Sequence, residues 1–209
     1  METERPTSQD LAREVGFPKF GNPDPAEAEA TVRKLIELIG DDPSREGLQE
    51  TPRRVVKSWQ ELFSGYKDDP QSYAKVFTAE YDQVVVVRGI GYFSMCEHHM
   101  LPFFGQVNIG YLPNGNHKVL GVSKLARIVN VFSRRLQIQE QMTLQIARAI
   151  WDAVEPKGVA VIADGQHLCM MARGVRQQDA TMRTSCMLGV FREQPASRAE
   201  VLTLLSGAA

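Results

Sequence analysis

The stretch from Phe93 to Gly105 reads FSMCEHHMLPFFG and sets Cys96, His98 and His99 within four positions. The whole chain has only three cysteines and four histidines, so this is a concentration of metal-binding side chains. Cys96 and His99 stand at C-x2-H spacing, and a thiolate beside an imidazole is good zinc chemistry. The next pair of the same kind is His167 and Cys169, in QHLCM. Read as a strand, residues two apart point to one face. A Cys169 drawn to the metal then carries His167 with it, which suits a proton-transfer residue. Spacing alone leaves two arrangements open. A structural zinc is closed by four protein ligands, with His167 or His98 as the fourth. A catalytic zinc has three and keeps a position for water. Cys96 and Cys169 are also able to close a disulfide in metal-free, oxidised protein. Cys186 reads as a small buried hydrophobe, and His117, in the turn PNGNHK, as solvated.

A second set of residues suits an anion. Ser123 reads as the N-cap of the helix SKLARIVNVFSRR, and helix N-termini attract anions. Lys124 and Arg127, three apart, share a face near that end. Arg173 lies four residues past Cys169, and Arg54 and Lys57 are three apart on another helical pattern. Arginine binds phosphate bidentately. Arg134, Arg135, Arg148 and Arg183 read instead as solvated charges. Glu140 opens a further helix. Its carboxylate is able to accept two parallel hydrogen bonds, the pair that guanine offers and adenine does not. Read from the residues alone, Glu140 is better taken as an ordinary acidic first-turn residue favoured by the helix dipole.

The elements that hold these residues follow from periodicity. Asp24-Pro25 predicts a helix start, Val32, Leu35, Ile36 and Ile39 give its stripe, and Gly40 its end. Thr51-Pro52 opens a second helix, with Val55, Trp59, Leu62 and Phe63 inward and Gly65 at its end. QVVVVRGI and GQVNIGYLP read as strands. Leu125, Ile128, Val129 and Phe132 mark one core helix. Met142, Ile146, Ala149, Ile150 and Ala153 mark another, from about 139 to 155. GVAVIAD, HLCMMAR and TSCMLGVF read as three more strands. Ser197 and Glu200 read as a capping box before a last helix. The order is strand pair, helix pair, strand pair after two helices: an α+β fold with an antiparallel sheet. We divide the chain into an arm at 1–24, a helical region at 25–80 and a core at 81–209 that ends in a short helix.

Composition narrows the classes. The chain has 209 residues, 43% of them hydrophobic and 23% charged, enough to fill a core in one domain. A formal net charge of -1 argues against a general nucleic-acid coat and still allows a local basic pocket. The N-terminus has no apolar h-region, and no apolar run reaches the roughly 18–20 residues needed to span a bilayer. An odd cysteine count points to a reduced compartment, and the expected location is cytoplasmic.

Four stretches, GDDPSREGLQETPRRVVKSWQELFSGY, SMCEHHMLPFFGQVNIGYLP, LGVSKLARIVNVFSRRLQIQEQMTLQIA and GVAVIADGQHLCMMARGVRQQDATMRTS, resemble the GTP cyclohydrolase I family in order and content. The resemblance runs from about residue 28 to residue 205. It implies the tunnelling fold, and a homodecamer of two pentamers with active sites between subunits. It implies zinc-dependent hydrolysis of GTP at C8 of the guanine ring, release of formate, and rearrangement to 7,8-dihydroneopterin triphosphate for pterin and folate synthesis. By motif, Cys96, His99 and Cys169 match zinc ligands, and His98 and His167 match acid/base histidines. Ser123 matches a serine near the ribose. Lys124, Arg127 and Arg173 match triphosphate contacts, joined by Arg54 and Lys57, and Glu140 matches the guanine anchor. No nucleic-acid or membrane partner is implied. Rival readings are a zinc-stabilised binding module, a scaffold paralogue, and a deazaguanine-nitrile reductase of the same fold. The reductase needs NADPH and no zinc, which the CEHH and QHLCM pair argues against.

Overall fold

The computed structural model describes residues 24–115 and 117–207. The expected arm at 1–24 therefore lies outside the described residues, apart from Asp24. Two helices come first, α1 (Pro25–Ile39) and α2 (Thr51–Leu62). Asp24 caps α1 by accepting from the Ala26 N–H, and Gly40 ends it in the left-handed region at φ 100°. Val32 and Ile36 of α1 meet Val56 of α2 in a small core of their own. On α2 the most buried side chains are Pro52 and Val56, with Val55, Trp59 and Leu62 only half-buried.

Gly65 does not close α2 as expected. The helix ends at Leu62, and Gly65 lies in a short 3-10 turn (Ser64–Tyr66) pressed against the far end of α3. A Cβ at Gly65 would sit 2.1 Å from the Val131 carbonyl oxygen, so the glycine is there for close approach.

The core is a five-stranded sheet in the order β5-β2-β3-β6-β7. Its strands are β2 (Val85–Cys96), β3 (Pro102–Leu112), β5 (Leu136–Gln137), β6 (Gly158–His167) and β7 (Met182–Gly189). All neighbours are antiparallel except the short β5, which lies parallel to the end of β2. A separate two-stranded ribbon joins β1 (Val76–Thr78) to β4 (Lys118–Leu120). The helix pair α3 (Val122–Ser133) and α4 (Gln139–Val154) covers one face of the sheet. Leu125, Ile128, Val129, Met142, Ile146 and Ile150 of the pair bury fully against Val159, Val161 and Ala163 of β6. Each such aliphatic side chain contributes about 1.5–3 kcal/mol of transfer free energy. The alternate residues of β6, Ala160 and Ile162, face the other way, under Val201 and Leu205 of the last helix, α7 (Pro195–Ser206). The expected α+β order, strand pair, helix pair, strand pair, is the order observed.

Three local expectations are corrected. HLCMMAR is not a strand: β6 stops at His167, and Leu168–Met171 form a single helical turn, α5. The cause is loss of partners, since β3 has no residue beyond Pro102 to pair on one side and β7 begins only opposite Gly165 on the other. TSCMLGVF likewise leaves the sheet at Gly189, and Val190–Glu193 turn as α6. The last helix begins at Pro195 rather than at a Ser197–Glu200 capping box, and the Ser197 hydroxyl instead donates to Gln194 Oε1.

Candidate metal centre and its surroundings

Cys96 is the last residue of β2 and is 5% exposed. The chain then reverses tightly into β3. The Cys96 N–H donates to Leu101 O at 2.9 Å, and the Met100 N–H donates to Cys96 O at 2.8 Å. This turn carries His99 back beside Cys96. On the next strand His167 pairs with Phe103, so whatever follows β6 emerges next to that same turn. The α5 turn then brings in Cys169. One ligand atom each from Cys96, His99 and Cys169 lies within 4.8 Å of the others. A tetrahedral zinc with ligands at about 2.0–2.3 Å holds them roughly 3.3–3.8 Å apart, inside that limit, and the donors are of the right chemistry. No other such trio was found among the described residues.

The three cysteines are free thiols. Burial raises the Cys169 thiol above its usual range, and a negative charge on Cys96 would raise it further. A bound cation reverses that preference, because a metal ligates the thiolate. Arg173 reaches the cluster. Its Nη1 donates to His99 Nε2 at 3.2 Å and to the Cys169 carbonyl at 3.3 Å.

His167 ends β6 with its ring stacked on Phe103, centroids 4.6 Å apart and 5° from parallel. Its Nε2 lies 2.9 Å from Gln139 Oε1. Burial lowers the His167 pKa, and the charge of Glu140 partly opposes this. Glu140 itself is exposed in the first turn of α4. His98 is exposed in the turn, edge-on to His99, with Nε2 3.9 Å from a Glu97 carboxylate oxygen.

The structure thus gathers Cys96, His99, Cys169 and Arg173, with His167 beside them. The remaining predicted residues stand apart. Ser123 is not the N-cap of α3; Gly121 is, and Ser123 is exposed in the first turn without a capping bond. Arg127 lies 5.6 Å over the Tyr73 ring and lines a cavity of about 340 Å³ with Glu61, Asp68 and Arg134. Arg54 and Lys57 are exposed on α2. Among the described residues, none of Ser123, Lys124, Arg127, Arg54 or Lys57 hydrogen-bonds or ion-pairs with the metal-type cluster. Arg135, expected to be solvated, is instead 5% exposed, and donates to the Gly65 and Asp68 carbonyls.

Sequence reasoning missed Gln139, which is 1% exposed. Helical spacing carried the signal, since 139 falls on the apolar stripe of Met142, Ile146 and Ile150. A polar residue on that stripe has to be hydrogen-bonded.

A sequence profile of the GTP cyclohydrolase I family matches residues 28–206. The chain is 51% identical over 176 residues to GTP cyclohydrolase 1 of Wolinella succinogenes, covering 83% of this chain and 93% of the relative. It is 49% identical to GTP cyclohydrolase 1 of Chlorobium chlorochromatii, over 85% of this chain and 79% of the relative. The enzyme of the same name from Methylococcus capsulatus is 51% identical over 85% of this chain and 96% of its own length. Among solved structures, the archaeosine synthase QueF-Like in its apo form aligns over 53% of this chain and 97% of its own, at 17% identity and a TM-score of 0.41.

Proposed function

The chain belongs to the GTP cyclohydrolase I family, and from that membership we propose how its own residues carry out the family reaction. It hydrolyses the imidazole ring of GTP at C8, releases formate and rearranges the remainder to 7,8-dihydroneopterin triphosphate. The observation that carries the reading is the convergence of Cys96, His99 and Cys169, with His167 two residues before Cys169 at the end of β6. Three donors of this kind suit zinc with a position left for solvent, and zinc held there supplies Lewis-acid activation of water at neutral pH.

The protein supplies the rest. The Glu140 carboxylate accepts from guanine N1–H and the 2-amino group, which fixes the base and excludes adenine. Lys124, Arg127 and Arg173, with Arg54 and Lys57, neutralise the triphosphate. His167 gives a proton to N7, which makes C8 electrophilic. His98 and Ser123 move protons in the later steps, when the ribose opens and the new ring closes. Each acid–base group contributes roughly 10²–10⁴-fold.

The assembly we propose is a homodecamer of two pentamers with sites between subunits, working in the cytoplasm. The exposed places of Arg54, Lys57 and Arg127, away from the metal-type cluster, are in keeping with a site completed by a neighbouring subunit. Two free thiols as metal ligands are in keeping with a reducing compartment. Incubation with GTP, following formate and pterin fluorescence with and without a chelator, tests the reading. Formate release that a chelator abolishes and zinc restores is the expected result, and chelator-insensitive release overturns the metal assignment.

A further inference from the structure

Gln139 stands at the first turn of α4, buried between the helix pair and the sheet. Its side-chain amide has only one workable orientation. The Nε2 atom lies 3.0 Å from the Ala163 carbonyl and 3.0 Å from the Met182 carbonyl. A third acceptor, Thr184 Oγ1, lies at 3.2 Å. Turned over, the amide would aim an oxygen at two carbonyl oxygens. The threonines are consistent with this. The Thr143 hydroxyl donates to the Gln139 carbonyl at 2.7 Å, so the Thr184 hydroxyl must donate to Thr143 Oγ1, also at 2.7 Å, and keeps its lone pairs for Gln139. The two hydroxyl hydrogens are then assigned, and the two amide hydrogens serve the three acceptors between them.

What remains is Gln139 Oε1, which is an acceptor only. It accepts from the Tyr92 hydroxyl at 3.3 Å and faces His167 Nε2 at 2.9 Å. Two acceptors cannot share that contact, so His167 Nε2 carries a hydrogen. Space for the arrangement is reserved by Gly165, where a Cβ would meet Gln139 Oε1 at 2.3 Å and the Tyr92 oxygen at 2.5 Å. The Phe103 ring fixes the plane of the imidazole.

We propose that Gln139 is a positioning residue that locks the ring nitrogen roles of His167, holding hydrogen on Nε2 so that Nδ1 alone exchanges a proton with the substrate. This rests on the family reaction assigned above. Transfer from Nδ1 to N7 of the guanine ring leaves Nδ1 with its lone pair and leaves the Nε2–H bond to Gln139 unbroken. Without the amide the ring is free to flip or to change tautomer, and it meets the substrate with the wrong nitrogen for part of the time. Losing such an orienting partner elsewhere in enzymology costs turnover rather than binding.

The test is a solid-state nitrogen-15 spectrum of the metal-loaded protein with labelled histidine, the His167 signals being those missing in His167→Ala. The expected spectrum shows Nε2 protonated at His167 whatever the state of Nδ1. A neutral ring with its hydrogen on Nδ1 overturns the proposal, and this measurement decides even if no Gln139 variant folds. In Gln139→Met, both tautomers should appear. Its kcat should fall roughly 10²-fold, with metal content unchanged and KM for GTP within about threefold. A folded, metal-loaded Gln139→Met with wild-type kcat also overturns it. Failure of the wild-type protein to make formate from GTP would instead sink the reaction assignment and leave the tautomer result standing.

Discussion

Cys96 and His98 sit two positions apart, yet the geometry gives them separable fates. Cys96 points into the cluster with His99 and Cys169, whereas His98 is exposed and lies beside Glu97 and His99 in the turn. Cys96→Ser should therefore lose bound metal and turnover together, read by metal analysis and formate release. His98→Ser should keep the metal and lose turnover by about 10²-fold or more; loss of the metal there would reassign the ligands. Glu140 makes a different prediction, because its exposed carboxylate acts on His167 and is not among the metal donors. Glu140→Ala should raise KM for GTP by about 10-fold or more, since removing one side of a charge-assisted bidentate contact costs about 1.5–3 kcal/mol. Titration calorimetry with GTP and ATP checks it, and unchanged selectivity between them removes the guanine-anchor role. These residues were legible because metal and charge chemistry leaves unusual side chains at telling intervals. Gln139 was overlooked because a polar residue at a helix start is ordinary, and only its place on the apolar stripe of α4 pointed to its burial.

Elements were legible where burial is periodic and obscure where pairing decides. The stripe of α4 and the alternation in β3 come from one continuous face, which the sequence records directly. The end of β6 depends on where β3 and β7 run out, which are facts about other segments, and so HLCM read as a strand although it turns as a helix. The consequence for the site is physical. Cys169 reaches the metal donors by winding over the hairpin end, while His167 stays on the sheet against Phe103. Gly65 is a second case, mistaken for a helix stop because its real constraint is the backbone of α3. Its N–H donates to Arg134 O and its carbonyl accepts from Arg135 Nε, both at the end of that helix. Gly65→Ala should force this joint apart and destabilise the protein by about 1–3 kcal/mol. Urea denaturation should show a lower midpoint with an unchanged slope, and a midpoint equal to wild type would mean the turn yields at no cost.

The fold as a whole presents a puzzle that its parts do not. The metal donors gather at one end of the β2–β3 hairpin, while Arg127 leans over Tyr73 and Arg54 and Lys57 stand on the outer helix α2. Meanwhile the sheet is open: β7 is its terminal strand, and β5 covers only the last two residues of β2 at the other side. Open edges of this kind invite pairing with another copy, and a ring of copies closes them all. In such a ring the metal donors of one subunit and the basic residues of the next can face a single nucleotide. Mixing two inactive variants separates that arrangement from a site built by one chain. By the proposed assignment, Cys96→Ser would lose the metal and Arg127→Ala would lose a triphosphate contact. Unfolded together in equal amounts and reassembled, they should recover about a quarter of wild-type sites if each site draws Cys96 from one subunit and Arg127 from its neighbour, because random placement pairs two intact contributors that often. Formate release per site, compared with each variant reassembled alone, gives the answer. Recovery at the level of the separate variants would place Cys96 and Arg127 of one chain in the same site, and the basic residues would then have to swing toward the cluster when GTP binds.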